Sequence, residues 1–130
     1  EVFKGKTAII VDDMIASGEI MLDVARQIKC RGASRGFVCT TFGLFTEGLG
    51  KFDDYYRTGY IDRLITTNLT YLPPEIHNRP YFIEADMSKF MAIIIDSLNH
   101  DISISSVLNP TDKIHALIAK HNAERFGSVK

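Results

Sequence analysis

The sequence predicts an α/β fold, with a mostly parallel sheet and flanking helices. Apolar segments of strand length alternate along the chain with longer segments of helical periodicity, which is typical of βαβ units. The first apolar run, Ala8 to Val11, has no polar interruption, so we expect a central strand that is covered on both faces. With 130 residues, 45% hydrophobic content and a formal net charge of -1, the chain fits one compact domain.

The elements follow from periodicity and from the residues that bound each segment. The first helix is indicated by apolar residues at Met21, Val24, Ala25 and Ile28, and Gly32 lies just past its basic last turn. We expect strands at Thr7–Val11, Gly36–Thr41, Arg63–Thr67 and Tyr81–Glu84, and helices at Glu19–Cys30, Ser88–His100 and Pro110–Arg125.

Three further segments carry their own expectations. The loop Tyr71–Pro80 contains three prolines and should be extended and exposed. The run Phe90–Leu98 is broken by Asp96 and is interpreted as part of a buried helix. In the last helix, Asn109 is expected to be the N-cap with Pro110 at the first position. Its stripe should dock on this domain or on a neighbouring subunit, and consists of Ile114, Leu117, Ile118 and His121.

The segment between the first strand and the first helix is the candidate functional site. Asp12 and Asp13 follow the apolar run, and a small-residue loop leads into the helix. Ligands bind at the carboxyl ends of strands in open α/β sheets, and free N–H groups at a helix start attract anions. The candidate phosphate cradle consists of Ala16, Ser17, Gly18, Glu19 and Ile20. Carboxylates accept hydrogen bonds, so the two acids suit sugar hydroxyls or a hydrated metal ion. The simpler alternative is a helix cap beside a solvated charge.

The sequence VDDMIASGE resembles the phosphoribosyl pyrophosphate loop of the type I phosphoribosyltransferase fold. The resemblance implies that Asp12 and Asp13 hold the ribose hydroxyls, and that residues 16–20 hold the 5-phosphate. Glu19 stands where a second Gly is common, and Ile20 where Thr or Ser is common. A Glu at a helix N-terminus suits the helix dipole, but it would repel a bound phosphate if it pointed inward.

The rest of the chain resembles one family with this fold, the ribose-phosphate pyrophosphokinases. CTTFGLFTEGLGKFDDYYRTGYIDRLITTN, from Cys39 to Asn68, matches the region after the loop, and Phe82 to Leu108 matches a strand, a helix and the run DISISSVL. The resemblance implies a C-terminal phosphoribosyltransferase-like domain at residues 1–108, incomplete at its N-terminal side, and a helical extension at residues 109–130. It implies a role in making phosphoribosyl pyrophosphate and AMP from ATP and ribose 5-phosphate, with Mg²⁺ as cofactor.

The resemblance also implies that this chain lacks most of the ATP site of the family and shares a Ser-rich run with it. Most of the ATP site has no counterpart here, so we expect no turnover by the chain alone, and no catalytic residue or metal ligand is assigned. By position, Ser103 and Ser105 match a Ser-rich run that helps form an allosteric phosphate site at subunit contacts, which implies a homo-oligomer. Serines in such a connection are also common as cap or turn residues.

Three alternatives stay open at this point. A non-catalytic relative could keep the fold as a regulatory subunit, as the residues at 19 and 20 would allow. Another phosphoribosyltransferase would share the first loop, but not the ending of the chain. A phosphorelay receiver domain also begins with an apolar strand and paired acids, and Asp53 or Asp54 would be its phosphate acceptor; the segment before them, however, is not an apolar strand.

Composition and scattered polar residues restrict the partners. A nearly neutral chain gives no electrostatic case for nucleic acid, and neither a membrane span nor a signal peptide is indicated. The two cysteines are expected to be free core thiols in a reducing cytoplasm. The four histidines are too scattered for a shared metal site. Asp53 and Asp54 should lie on a solvated helical face, and Arg57 and Arg63 should form ordinary surface pairs.

Overall fold

The computed structural model of the chain describes residues 2–127. The described residues do not include position 1 or residues 128–130. The outer ends of the two predicted domains therefore lie outside the described residues. The described residues form two compact units, with the boundary between Met87 and Ser88. The division after residue 108 that the sequence suggests stays a prediction.

The first unit is an α/β unit with a parallel sheet, which confirms the predicted fold class. Its sheet has the strand order β1-β2-β3-β4, and each neighbouring pair is parallel. Helices connect the first three strands, and a short 3-10 helix precedes the fourth. The elements are β1 (Thr7–Ile15), α1 (Glu19–Cys30), β2 (Arg35–Gly43), α2 (Gly50–Arg57), β3 (Arg63–Thr67), a 3-10 helix (Pro74–Asn78) and β4 (Phe82–Ala85).

Strand β1 differs from its prediction in position and in length. Within the described residues it lies at an edge of the sheet, and Ile9 and Val11 are 64% and 75% exposed, so the predicted central strand with two covered faces is wrong. An apolar run indicates that both faces of a strand are suited to burial, but it does not indicate which neighbouring elements bury them. The strand also continues past the predicted end at Val11, because Asp12 pairs with Thr40 and the register holds as far as Ile15.

The core of the first unit lies on one face of the sheet. Helix α1 has the predicted bounds, but it buries Leu22 beside Met21 and Ala25, whereas Val24 of the predicted stripe is 37% exposed. Burying a leucine side chain stabilises the fold by roughly 1.5–3 kcal/mol. The core cluster consists of Ile15, Met21, Leu22, Ala25, Val38, Phe45, Leu49, Phe52, Ile61, Leu64, Ile76 and Tyr81.

The proline-containing loop contributes to this core, so its predicted full exposure is wrong. Pro73 caps the 3-10 helix, and Pro74 occupies its first turn, where a missing N–H costs nothing. This turn places the side chain of Ile76 in the core, where it is 0% exposed. The prolines therefore fix a turn that buries Ile76, and Leu72 just before it also packs against the core.

The second unit is helical in the described residues, and it contains α3 (Ser88–Asn99), α4 (Ser105–Leu108) and α5 (Thr111–Phe126). Helix α3 was predicted to be buried, but Ser97 is the only buried residue among Ser88–Asn99. The helix is apolar on several sides, and the other two helices of this unit cannot cover all of them. Helix α5 begins at Thr111 with Pro110 at the N-cap position, so the predicted cap at Asn109 is wrong by one residue. Asn109 still accepts a hydrogen bond from the helix start, because the Thr111 N–H donates to its Oδ1 at 3.1 Å. The apolar residues of its predicted stripe are exposed, and docking of that stripe stays a prediction. Among residues 2–127, every helix is too short or too polar to span a lipid bilayer.

Candidate functional site

A small open cavity lies at the carboxyl end of β1, where the chain turns into α1. Its volume is about 170 Å³. This is the place where ligands bind in open α/β sheets. The cavity brings together six of the seven predicted site residues and three apolar neighbours: Asp12, Met14, Ile15, Ala16, Ser17, Gly18, Glu19, Ile20 and Met21.

The turn between β1 and α1 depends on Gly18. Its φ of 83° lies in the left-handed region, which favours glycine, and it caps the helix. A Cβ at this position would overlap the ring of Phe52, which lies 0% exposed behind the loop. Both the backbone conformation and the packing against Phe52 therefore exclude a side chain at this position.

Hydrogen bonds from the segment after β2 hold the loop in place. The N–H of Leu44 donates to the carbonyl of Ile15 at 2.8 Å, and the N–H of Thr46 donates to the carbonyl of Ala16 at 3.1 Å. In α1, the N–H of Leu22 donates to the carbonyl of Gly18 at 2.9 Å, which is the first helical bond. Helix geometry leaves the N–H groups of the preceding turn without helical partners, so they are available to an anion.

Ser17 already takes part in this turn. Its Oγ accepts a hydrogen bond from the Glu19 N–H at 3.4 Å, which is long for such a bond. The hydroxyl keeps its proton for donation to another acceptor. Ile20, at the mouth of the cavity, is 84% exposed and makes the rim apolar at this point.

The two acids lie inside β1 and not after it, and the strand separates them. Side chains alternate between the two faces of a strand, so Asp12 and Asp13 point to opposite sides. Asp12 lines the cavity, whereas Asp13 does not. The Asp13 N–H donates to Asp12 Oδ1 at 2.9 Å, and both residues are exposed. The structure thus places one of the predicted carboxylates at the cavity and the other on the far side of the strand.

The charge of Glu19 is paired by a residue that the sequence did not point to. Lys51, on α2, donates to Glu19 Oε1 at 2.6 Å and to Glu47 Oε2 at 2.6 Å. The hydrogen bond and the charge of Lys51 lower the pKa of Glu19, and the hydrogen bonds to Glu19 and Glu47 raise the pKa of Lys51. The spacing of Glu47 and Lys51 is a visible i, i+4 pair, but the contact with Glu19, 32 residues away, depends on the fold.

Asp53 is bound by other side chains, so its predicted place on a solvated face is wrong. Arg79 donates to its two oxygens at 2.8 and 3.0 Å, and the Tyr81 hydroxyl donates at 2.6 Å. Partial burial opposes ionisation of Asp53, but these hydrogen bonds and the Arg79 charge hold its pKa below the ordinary value. Burial and the neighbouring carboxylate raise the pKa of Tyr81. The cluster fixes α2, which carries Lys51 and Phe52.

The same placement excludes the receiver-domain alternative. Asp53 and Asp54 lie within α2, whereas a receiver aspartate must end a buried strand. Asp54 forms an exposed ion pair with Arg57, and Arg63 donates to the Asp62 carbonyl at 2.8 Å. Ordinary surface interactions of the two arginines, as predicted, account for these contacts.

The remaining candidate residues lie away from this cavity in the chain. Ser103 Oγ accepts a hydrogen bond from the Ser105 N–H at 3.4 Å and donates one to Ser105 Oγ at 3.1 Å, at the start of α4.

Both cysteines are free, as expected, but Cys30 is exposed and is not a core thiol. Burial raises the pKa of the Cys39 thiol. Within residues 2–127, no group of three or more His, Cys, Asp or Glu side chains could hold a metal ion by itself.

The comparisons with known proteins agree on one family. The family model described as phosphoribosyl synthetase-associated domain matches residues 2–109. The ribose-phosphate pyrophosphokinases of Shewanella oneidensis and Vibrio parahaemolyticus are 31% and 29% identical to the chain over 106 residues, which is 82% of this chain and 33% of each relative. The chain therefore spans about a third of the length of these curated relatives.

A solved structure supports the fold independently. The phosphoribosylpyrophosphate synthetase from Mycobacterium smegmatis matches with a TM-score of 0.65 at 20% sequence identity, over 76% of this chain and 32% of that one. At this identity the match establishes the fold. The family match covers most of the chain, which confirms the predicted resemblance. The chain therefore belongs to the family of phosphoribosyl synthetase-associated domains.

Proposed function

We propose that this chain supplies the ribose 5-phosphate loop of a ribose-phosphate diphosphokinase, which makes phosphoribosyl pyrophosphate and AMP from ATP and ribose 5-phosphate. The observation that carries the proposal is the cavity at the end of β1, which Asp12 and the loop 16–20 line together. Family membership supports the substrate class, since the curated relatives are named ribose-phosphate pyrophosphokinases.

In this proposal the 5-phosphate occupies the loop side of the cavity. The N–H groups of the first turn of α1 that follow Glu19 donate to its oxygens, and the positive end of the helix dipole favours its charge. Gly18 and Ser17 both line the cavity, and Ser17 contributes a hydroxyl donor. These groups are neutral, so the loop recognises the phosphate by directed hydrogen bonds rather than by a cationic side chain.

The ribose hydroxyls lie on the acidic side of the cavity. Asp12 accepts a hydrogen bond from one of them, and Asp13, across the strand, needs a small change in the strand or a bridging water to reach the other. We propose both carboxylates as ligands, in agreement with the resemblance. Because Asp12 lines the cavity in the structure, its loss should weaken binding more than the loss of Asp13.

Mg²⁺ is the cofactor that we propose, and Asp12 fits it. Its carboxylate is an exposed oxygen donor that lines the cavity, and Mg²⁺ is commonly held by one or two carboxylates together with substrate phosphates and water. When bound, the ion would neutralise charge on the phosphates during transfer. The protein residues orient the sugar phosphate, so that its anomeric hydroxyl can receive the β,γ-diphosphate of ATP.

The other partners are proposals as well. The chain spans about a third of its relatives' length, so we assign the ATP side of the reaction to the remaining two thirds of such a protein. We propose a homo-oligomer in the cytoplasm, with Ser103 and Ser105 near an allosteric phosphate, and neither a nucleic acid nor a membrane as partner.

A titration of the intact chain with ribose 5-phosphate tests the proposal. Amide NMR spectra should show saturable binding, Asp12→Asn should weaken it about tenfold or more, and Asp13→Asn should weaken it less. Asp54→Asn is the matched control, because it removes an exposed carboxylate from α2 and should leave the affinity unchanged. Equal affinity of the wild type and Asp12→Asn would contradict the assignment.

The second candidate is a regulatory subunit without a substrate site. The observation that favours it is Glu19, an acidic residue that lines a cavity proposed to receive a phosphate. The same titration decides between the two functions, because a regulatory relative that has lost the site would not bind ribose 5-phosphate at this loop.

A further inference from the structure

The unexplained feature of the site is an acidic side chain beside a cavity that is proposed to receive a phosphate. Glu19 lines the cavity and opens α1. A free carboxylate at this place would repel a dianionic phosphate. We propose that Lys51 is a positioning residue that pairs with Glu19 and holds its carboxylate off the phosphate cradle, a role that rests on the proposed function.

The first support is the geometry of the pair. Lys51 Nζ lies 2.6 Å from Glu19 Oε1 and 2.6 Å from Glu47 Oε2, so one ammonium group holds two carboxylates. A second hollow, beside the cavity, is lined by Glu19, Leu22, Lys51 and Tyr55. The glutamate side chain therefore has a place to lie outside the phosphate side of the loop.

The second support is the rigid mounting of Lys51. Its neighbour Phe52 is fully buried and packs against Gly18, the N-cap residue of α1. The next residue, Asp53, is held by a bidentate ion pair with Arg79. The position of Lys51 relative to the loop is thus set by two consecutive anchored residues, so its ammonium group stays near the helix start.

The third support is the exposure of the pair, which argues against a role in stability. The side chains of Glu19 and Lys51 are 66% and 41% exposed. Exposed ion pairs contribute little to the free energy of unfolding. The same charges act strongly on a ligand that binds beside them, because the phosphate carries up to two negative charges.

The test measures binding of ribose 5-phosphate and of neutral ribose to the intact chain and its variants. Lys51→Met should weaken ribose 5-phosphate binding by about three- to tenfold, since it frees the charge of Glu19. Ribose binding should not change. Lys51→Arg should retain the wild-type affinity, and Arg57→Met, which removes an exposed cation from the far end of α2, is the matched control.

The decisive variant is the double substitution Glu19→Gln with Lys51→Met. If Lys51 acts through Glu19, the double variant should bind ribose 5-phosphate as tightly as Glu19→Gln alone. If the double variant stays as weak as Lys51→Met, the lysine acts directly on the phosphate or through Glu47 and not through Glu19, and the inference is overturned. Equal affinity of the wild type and Lys51→Met would also overturn it, while leaving the proposed function intact. A wild-type chain that does not bind ribose 5-phosphate would overturn both.

Discussion

At the residue scale, the site depends on contacts that only the folded chain makes. The sequence predicted the loop residues because a strand, a small-residue loop and a helix follow one another, and all of the loop residues line the cavity. It could not predict Lys51 or Phe52 behind the loop, because their partners Glu19 and Gly18 are more than thirty residues away. Pattern analysis detects neighbours along the chain, whereas these pairs are formed by the crossover from β1 to β2 and on to α2.

Replacing Gly18 tests the packing of the loop. Gly18→Ala should destabilise the chain by about 2–4 kcal/mol, because it adds a clash with Phe52 to the strain of a positive φ. Gly48→Ala is the matched control: its φ is also positive, at 75°, but nothing lies near its Cβ, so it should cost only about 1 kcal/mol. Urea unfolding measures both. Equal losses would mean that Phe52 does not support the loop.

Replacing Asp53 tests the anchor of α2. Asp53→Asn should destabilise the fold by about 1–2 kcal/mol, a modest loss because the carboxylate is 37% exposed and is partly screened by solvent. Asp54→Asn, in the exposed pair with Arg57, should cost less than about 0.5 kcal/mol. Chemical denaturation of both variants at neutral pH compares them, and similar losses would contradict an anchoring role.

The same carboxylate gives a pH dependence with a defined sign. The pKa of Asp53 is lower in the folded chain than in the unfolded chain, so its contribution is complete above the unfolded value of about 3.9. It is lost as the pH falls through the lower folded value. The difference in stability between the wild type and Asp53→Asn should therefore be constant near neutral pH and shrink below about pH 4. A difference that grows on acidification would contradict the assignment.

At the scale of elements, the sequence predicted most ends of the seven expected strands and helices to within one residue, but it misjudged the surroundings of several elements. Helix α1 and strand β3 have the predicted bounds, because glycine and charged residues mark their ends. Strand β1 continues through Asp12 and Asp13, since register with β2 extends a strand past the end of its apolar run. The 3-10 helix was missed because prolines favour both an extended loop and a tight turn, and only the burial of Ile76 distinguishes them.

Truncating Ile76 measures what the 3-10 helix contributes. Ile76→Ala should cost about 2–5 kcal/mol, because its side chain is fully buried in the core cluster. Ile9→Ala is the control, since this isoleucine on β1 is 64% exposed and should cost less than about 1 kcal/mol. Thermal or urea unfolding gives both values. A small loss at Ile76 would mean that the turn does not pack into the core.

At the scale of the whole molecule, the alternation of strands and helices was enough to predict the α/β class. The exposure of the apolar residues was not predictable, because burial depends on which other segments or subunits are present. Ile9 and Val11 on the sheet and the stripe of α5 are exposed in the described residues, although their pattern is that of covered surfaces. The chain spans about a third of its relatives' length. Exposed apolar surfaces of this kind are typical of places where other segments or subunits pack.

The division of labour in the proposed reaction gives a prediction at this scale. The chain should bind ribose 5-phosphate but should not produce AMP from Mg-ATP and ribose 5-phosphate, because we assign the ATP site to the rest of a full-length synthetase. A coupled assay for AMP, with a complete ribose-phosphate pyrophosphokinase as positive control, measures this. Sustained AMP formation that follows the amount of chain would contradict the prediction.

The central claim is that the loop between β1 and α1 receives the phosphate of ribose 5-phosphate. Amide chemical shifts of the intact chain, followed during titration with ribose 5-phosphate, test it most directly. The account predicts saturable shifts that are largest at Ser17, Gly18 and the first turn of α1, and much smaller shifts with ribose. Saturable binding that leaves these amides unchanged, or the absence of binding, would contradict it.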